Sequence, residues 1–411
     1  MRLGLVLVHP LVAFLFAWLF TLSLCELSYI DSFTSELANV ESLIPVVVIP
    51  FALGAFLVAL LTSFARRPTY APNTTYIKVR HLKLIFLIWS AITVFEICWT
   101  HGLPIYWLIV GNGKTEDEFG IHTLHGFANT LWLYLATGAF IANMAGPVKP
   151  PRWLMFLLYS WPILTLSRAL ATIFLLMAAM IYIGWRSPSA RRLLLSAFVA
   201  TVLFILVFGF AGDVRNTDFS VHRAISSDKL QDWNSGVVWV YVYLVSPISN
   251  LALNIEHGNA EFNWVPLRFL TPMVPSVILN QMGIDTSFRG SLGELVNPAF
   301  NVGTAFLGIY FDWGVSGILL FSFSLGAIGH YIWIQAMRRP TMLVIVAGYS
   351  ACCALTVFTN QFNQLTIVLL FACWYGWVRS SRQVYTLRRL GIGRRTKTNT
   401  VRRGARMSPV E

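Results

Sequence analysis

Residues 193–211 read LLLSAFVATVLFILVFGFA, nineteen consecutive positions without a charged side chain. As a single helix this run would be about 28 Å long, close to the roughly 30 Å thickness of the hydrocarbon core of a bilayer. Arg191 and Arg192 precede the run, and the polar sequence GDVRN (212–216) follows it. Because cytoplasmic flanks are rich in Lys and Arg, the pattern predicts a membrane-spanning helix whose first residues lie on the cytoplasmic side.

The rest of the chain repeats this pattern. Of its 411 residues 56% are hydrophobic and 12% are charged, whereas a soluble domain has about 25% charged residues. The composition therefore excludes a water-soluble protein and predicts an all-α polytopic membrane protein with about ten transmembrane helices. The other apolar runs are 3–25, 43–64, 83–100, 125–145, 315–336, 341–359 and 364–378, together with two shorter pieces within 153–185.

The basic residues orient these helices. They cluster in short connections between apolar runs and in the tail, which predicts that these parts and both termini are cytoplasmic. The connection 26–42 has four acidic residues and no basic one, so we place it outside. The predicted divisions are a transmembrane bundle at 1–211 with about seven helices, a large outer loop at 212–314, further transmembrane helices at 315–378, and a basic cytoplasmic tail at 379–411.

Segment 153–185 has basic flanks on both sides, so an even number of crossings must lie between them. Its 33 residues would form about 50 Å of continuous helix, far more than one crossing needs. We therefore predict two short helices that meet near Arg168, in preference to one long tilted helix.

The loop 212–314 has five basic and nine acidic residues. Two apolar stretches inside it, 236–253 and 264–279, contain prolines, including Pro247 and Pro272. Because proline interrupts a helix, these stretches are expected to be amphipathic or re-entrant pieces and not full crossings.

Arginines at the outer membrane surface are the strongest chemical signal. Arg168 lies in an apolar hairpin, where a charge is costly and usually faces a polar cavity. Arg215 follows the helix at 193–211, and Arg289 lies in DTSFRGSLGE. A guanidinium offers a rigid fork suited to phosphate oxygens, so these residues could bind a lipid-linked pyrophosphate. Alternatively, each serves only as an interfacial anchor or pairs with a neighbour such as Asp213.

Several other chemistries are excluded or disfavoured. The chain has no DxD, HExxH or GxSxG motif, and no arrangement of ligands predicts a metal or other cofactor. His122 and His125 are expected to have a structural role. The net charge of +12 comes largely from the tail at 379–411, which predicts contact with anionic membrane lipid and not with nucleic acid.

Five segments occur in an order that resembles a known family. Together they are similar to the O-antigen polymerases, the Wzy-type oligosaccharide repeat-unit polymerases of Gram-negative inner membranes. The segments are EFGIHTLHGFANTLW (118–132), the hairpin around Arg168, GDVRN (212–216), YVYLVSPISNL (241–251) and NVGTAFLGIYFDWGVSG (301–317).

The resemblance implies a lipid-dependent membrane glycosyltransferase of GT-C-like architecture in the bacterial inner membrane. Its substrates would be undecaprenyl-pyrophosphate-linked oligosaccharides on the periplasmic face, and its partner a chain-length-regulating co-polymerase. Arg215 and Arg168 would stabilise the leaving pyrophosphate, with Arg289 and Arg223 behind them. The remaining candidates are acids and a histidine that could act as a base, and side chains that could contact the sugars. They are Asp213, Glu256, His257 and Glu294 for the first role, and Tyr241, Tyr243, Asn250 and Glu294 for the second.

Three alternatives stay open. An O-antigen ligase would use the same donor and a similar outer loop. A lipid-linked oligosaccharide flippase would be a transporter, and such proteins tend to have matched half-repeats, which this chain lacks. The third alternative is a peptidoglycan glycosyltransferase of the shape, elongation, division and sporulation type, whose motifs are absent from the sequence.

The hairpin generates a labelling prediction. A cysteine introduced at position 168 should react with a membrane-impermeant thiol reagent added outside the cell, and one at position 188 should not. Reaction at position 188 from outside would contradict the hairpin.

Overall fold

The computed structural model describes residues 3–30, 37–63, 79–115, 118–121, 123–146, 148–215, 221, 228–284, 292–298 and 300–389. Within these residues every regular element is helical. The α-helices are α1 Leu3–Leu7, α2 Pro10–Glu26, α3 Ile49–Ser63, α4 Val79–Thr100, α5 Pro104–Val110, α6 Leu124–Ala145, α7 Arg152–Leu164, α8 Arg168–Arg186, α9 Ala190–Arg215, α10 Ser235–Glu256, α11 Leu267–Leu270, α12 Ser276–Gln281, α13 Leu307–Arg338, α14 Leu343–Leu355 and α15 Leu365–Arg389. Shorter 3₁₀ and π turns are Leu37–Ser42, Ile44–Val48, Asp228–Leu230, Thr271–Met273 and Pro340–Met342.

The chain is a helical membrane protein. Among the described residues, five helices are long and apolar enough to cross a bilayer, and three further apolar helices are shorter. The five are Val40–Ser63, Arg80–Val110, Arg168–Arg186, Ser235–Glu256 and Leu307–Arg338, and the three are Pro10–Glu26, Pro340–Leu355 and Leu365–Ser380.

The first apolar run, expected as one helix over 3–25, is two helices. His9 has an extended conformation (φ −65°, ψ 131°) and caps α2, whose first residue is Pro10. A residue that precedes proline avoids the helical region because the proline ring clashes with it. The chain therefore breaks at His9, although its hydropathy is continuous.

Two helices and a break are present within 153–185, as predicted. Helix α7 ends at Leu164 and α8 begins at Arg168, and Leu166 between them has a positive φ of 53°. Trp132 of α6 touches both helices: its indole N–H donates to the Leu158 carbonyl (2.9 Å), and its ring contacts Phe174. Helices α7 and α8 therefore pack side by side against α6.

Helices α3 and α13 make the closest contact in the bundle. A Cβ placed on Gly54 would lie 2.0 Å from the Phe323 carbonyl oxygen, and one on Gly326 would lie 1.9 Å from the Phe51 carbonyl oxygen. Small residues at a helix interface let two backbones approach closely, which is how membrane helices gain packing energy. The Ser322 hydroxyl also donates to the Val47 carbonyl across this interface (2.5 Å).

Helices α2 and α13 run antiparallel. His9 at the start of α2 is hydrogen-bonded to His330 late in α13 (2.9 Å), and Trp18 further along α2 contacts Phe306 just before α13. The end of α2 and the beginning of α13 therefore lie at the same end of the bundle, which we call the upper end.

Helix α10 is attached to the upper end at both of its own ends. Near its beginning, the Tyr241 hydroxyl donates to the Leu24 carbonyl in the last turn of α2 (3.2 Å). Near its end, the Asn254 carbonyl accepts from the Tyr310 hydroxyl of α13 (2.8 Å). Helix α10 is long enough to cross a bilayer, but these contacts place both of its ends at the upper end of the bundle.

The first apolar stretch of the loop, expected to be an amphipathic or re-entrant piece and not a full crossing, is a single helix that its proline does not interrupt. Pro247 lies inside the continuous helix α10. It removes one backbone hydrogen bond, and burial of the helix along most of its length offsets that loss. The second stretch is interrupted as predicted, because only the short pieces α11, Thr271–Met273 and α12 form around its prolines.

The contact between α3 and α13 generates a stability prediction. Gly326→Ala should lower the free energy of unfolding by about 1–3 kcal/mol, because the added methyl group overpacks the interface. Gly376→Ala is the matched control, since no atom lies within 4 Å of a Cβ at that position. The midpoint of thermal unfolding in detergent micelles should fall for the first variant and hold or rise for the second. Equal midpoints would contradict the close contact.

Candidate functional site

An open cleft of about 430 Å³ lies at the upper end, where the C-terminus of α10 meets α13. Four parts of the chain form it: the turn after α10, the segment 293–294, helix α11 and the first part of α13. The lining residues are Gly258, Asn259, Ala260, Glu261, Arg268, Gly293, Glu294 and Phe311. The cleft therefore combines two carboxylates, one guanidinium, one amide and one aromatic ring.

The fold brings together His257 and Glu294, both predicted site residues; Glu294 lines the cleft, and His257 is hydrogen-bonded to it from outside the lining. The His257 Nδ1 atom lies 2.5 Å from the Glu294 Oε2 atom, and both side chains are about half exposed. Hydrogen bonds from His257 and Asn259 hold the pKa of Glu294 below its ordinary value. The pair is therefore favoured at neutral pH and is lost as the pH falls through the lowered pKa of Glu294.

The geometry of this pair suits proton transfer. A carboxylate on Nδ1 fixes the orientation of an imidazole and stabilises its protonated form. The second ring nitrogen, Nε2, is then the atom that would accept a proton from a hydroxyl. An exposed His–carboxylate pair whose carboxylate lines an open cleft is thus a candidate general base.

Arg268 supplies the positive charge of the cleft. Its guanidinium lies 3.1 Å from the Glu261 carboxylate and 4.8 Å from the centre of the Phe311 ring. The buried carboxylate of Asp312 accepts from the backbone N–H groups of Arg268 (3.3 Å) and Phe269 (3.0 Å). These contacts fix the beginning of α11, and with it the position of the arginine.

Asn254 fixes the wall of the cleft that Gly293 and Glu294 form. It is fully buried, and its amide donates to the Glu294 carbonyl (2.8 Å) while its Oδ1 atom accepts from the Glu294 N–H (3.1 Å). Gly293 has a φ of +63°, and a Cβ there would lie 2.2 Å from that same Oδ1 atom. Only glycine fits this position, so the sequence Gly293-Glu294 is tied to Asn254.

Arg168, the predicted hairpin arginine, is the first residue of α8 and is half-buried. The preceding Ser167 caps the helix through a hydrogen bond from the Leu170 N–H (3.4 Å). A cation at the N-terminal end of a helix is opposed by the helix dipole, so helix stability does not account for an arginine at this position.

The other predicted cations and Asp213 fall outside the part of the chain whose side chains the structure describes. Arg223 and Arg289 lie outside the described residues, and the side chains of Asp213 and Arg215, in the last turn of α9, are also outside them. Glu256, the remaining candidate base, is the exposed last residue of α10.

The three candidates for sugar contact on α10 are separate from the cleft lining. Tyr241 is buried, donates to the Leu24 carbonyl and accepts from the Tyr29 N–H (3.3 Å), so it joins α10 to α2. Tyr243 is half-buried and its ring lies 5.8 Å from that of Trp239. Asn250 is buried between backbone groups, donating to the Val302 carbonyl and accepting from the Val296 N–H.

A second His–carboxylate pair lies within the bundle. The carboxylate of Glu96 is 1% exposed and accepts from the Ile121 N–H and from His125 Nδ1, each at 3.2 Å. These bonds fasten the segment before α6 to α4, which accords with the structural role expected for His125; His122 lies outside the described residues. In the part of the chain that the structure describes, no group of three or more His, Cys, Asp or Glu side chains could hold a metal ion.

Comparison of the chain with models of known protein families, with curated proteins and with solved structures gives no match in any of the three. The fold therefore defines the class, a helical membrane protein. The family resemblance drawn from the sequence remains a prediction.

Sequence reasoning missed Arg268 and Asn254 as parts of the site. Arg268 was counted only as one of five basic residues of the loop, and its partner Glu261 is seven positions away. Asn254 shares a helical face with Asn250, four residues earlier. That spacing was the available signal, because two amides on one face of an apolar helix need polar partners when buried.

Proposed function

We propose that this chain is a membrane glycosyltransferase of the O-antigen polymerase type. It would join oligosaccharide repeat units carried on undecaprenyl pyrophosphate at the periplasmic face of the bacterial inner membrane. In this proposal the chain crosses the membrane ten times, has both termini in the cytoplasm and has GT-C-like architecture. The observation that carries the proposal is the exposed His257–Glu294 pair, whose glutamate lines an open cleft together with Arg268 at one end of a membrane bundle.

The pair suits the acceptor half of the reaction. A hydroxyl at the non-reducing end of a new lipid-linked unit would enter the cleft and give its proton to His257, with Glu294 stabilising the imidazolium. The hydroxyl oxygen would then form a bond to the anomeric carbon of the growing chain. Hydrogen-bonding side chains around the cleft, such as Asn259 and Glu261, are of the kind that bind sugar hydroxyls.

The arginines suit the donor half. The anomeric C–O bond breaks as the new bond forms, and its electrons leave with undecaprenyl pyrophosphate. Fixed cations near that oxygen stabilise the transition state more than the ground state. We assign this role to Arg215 and Arg168, with Arg289 and Arg223 in support, on the basis of the sequence resemblance. No cofactor is required, since cleavage of the glycosyl–phosphate C–O bond of the donor supplies the driving force.

The proposal predicts the effect of replacing the base. His257→Gln should reduce polymerisation by about 10²–10⁴-fold, the usual contribution of a general base, and Glu294→Gln should reduce it less. His101→Gln is the control, because His101 is also an exposed histidine and lies in the turn between α4 and α5, which contributes no residue to the cleft lining. Arg168→Ala and Arg215→Ala should abolish polymerisation, and Arg215→Lys should be nearly as defective because it loses the bidentate fork.

The measurement is the lipopolysaccharide ladder of a deletion strain that expresses each variant at a matched level. Inactive polymerase variants should leave a single repeat unit on the lipid A core, and the His101 control should restore long chains. Complete chains stranded on undecaprenyl pyrophosphate would identify a ligase instead. A normal ladder from His257→Gln would remove this histidine from the mechanism.

A further inference from the structure

Residues 262–282 expose apolar side chains although they belong to a polar loop. Trp264 is 90% exposed and Phe262 is 69% exposed, and the two rings pack edge to face with centres 5.7 Å apart. Val265, Leu270, Ile278 and Met282 are exposed as well. From Phe269 to Ile284 the chain has no charged residue. Soluble surfaces rarely carry such a continuous apolar patch, and one that is present marks an interaction site.

The patch is held in a fixed conformation. The backbone N–H groups of Glu261 and Asn263 donate to the Phe311 and Asp312 carbonyls, both at 2.9 Å. The Trp313 indole N–H also donates to the Asn263 carbonyl (2.7 Å). The two exposed aromatic rings are therefore presented by a backbone that is fastened to α13.

The patch packs against α13, whose own exposed apolar side chains lie beside it. The Phe269 ring contacts that of Phe321 with centres 4.9 Å apart. Helix α13 is kinked at Gly314. Phe321 lies seven residues beyond this kink, about 10 Å further along the helix. By length and composition α13 is able to span the bilayer. Val315, Leu319 and Leu320 of the same part of α13 are also exposed. Going from the upper end toward the middle of the bundle, the patch therefore continues into the exposed apolar surface of α13, which lipid covers.

We propose that residues 262–282 insert into the leaflet of the bilayer at the upper end, with Phe262 and Trp264 at the level of the headgroups. Trp favours this level because its ring is apolar and its N–H is polar. The short helices of this proline-rich segment pack on a spanning helix. Part of their backbone is therefore hydrogen-bonded within the protein, as insertion into a membrane requires. Because Glu261 and Arg268 lie at or beside this segment and line the cleft, the cleft opens at the membrane surface. The proposal does not depend on the glycosyltransferase assignment.

The test uses full-length protein in vesicles of phosphatidylethanolamine and phosphatidylglycerol. Trp264→Cys is labelled with an environment-sensitive nitrobenzoxadiazole dye, in a background with Cys98→Ser, since Cys98 is the exposed native cysteine among the described residues. Asp232→Cys, at another exposed position of the loop, is the matched control. Ile278→Cys is a second patch position, in case replacement of Trp264 disturbs folding.

Dye at positions 264 and 278 should emit at shorter wavelength than dye at position 232. Lipids spin-labelled near the headgroup should remove most of the fluorescence at 264 and leave that at 232 unchanged. Emission at 264 and 278 like that at 232, without quenching by spin-labelled lipid, would overturn the proposal. If soluble oligosaccharide then changed the emission at 264, the aromatic pair would be a sugar-binding platform instead.

Discussion

A polar side chain that is buried away from water must find a hydrogen-bond partner, and the upper end of this protein is built on that requirement. Asn250, Asn254 and Asp312 are all buried, and each is satisfied by backbone groups of segments distant in the sequence. Asn254 fixes the Glu294 backbone, and Asp312 fixes the beginning of α11. These three side chains therefore join the segments around the cleft to one another and to the membrane helices.

The sequence was sufficient for features that depend on composition or on the local chain. Both flanks of 153–185 are basic, which requires an even number of crossings between them. Together with the length of the segment, this was enough to predict two helices that meet near Arg168. Local chemistry also explains why Pro10 begins a helix. Pro247 does not interrupt α10, because its effect on the helix depends on burial by other helices, which no local sequence pattern reports. The kink at Gly314 lies next to the hydrogen bonds that Glu261 and Asn263 make to residues 311–312, contacts between segments that no local pattern reports.

The site was less predictable for the same reason. His257 and Glu294 were both named as candidates, yet their pairing spans 37 positions and depends on Asn254 and Gly293. Arg268 gained significance only through Glu261, Phe311 and Asp312, which approach it in the fold. Tyr241 and Asn250 illustrate the converse. They stand out in the sequence as polar groups in an apolar stretch, and the fold uses them for internal hydrogen bonds.

The proposed function requires a lipid-linked saccharide to meet a base and a set of cations at the bilayer surface. The most direct measurement is reconstitution of the purified protein in vesicles with undecaprenyl-pyrophosphate-linked repeat units, in the presence of excess EDTA. The account predicts saccharide chains of increasing length, with one undecaprenyl pyrophosphate released for each bond formed. Unchanged repeat units that merely cross the bilayer, or polymerisation that requires added Mg²⁺ or Mn²⁺, would contradict it.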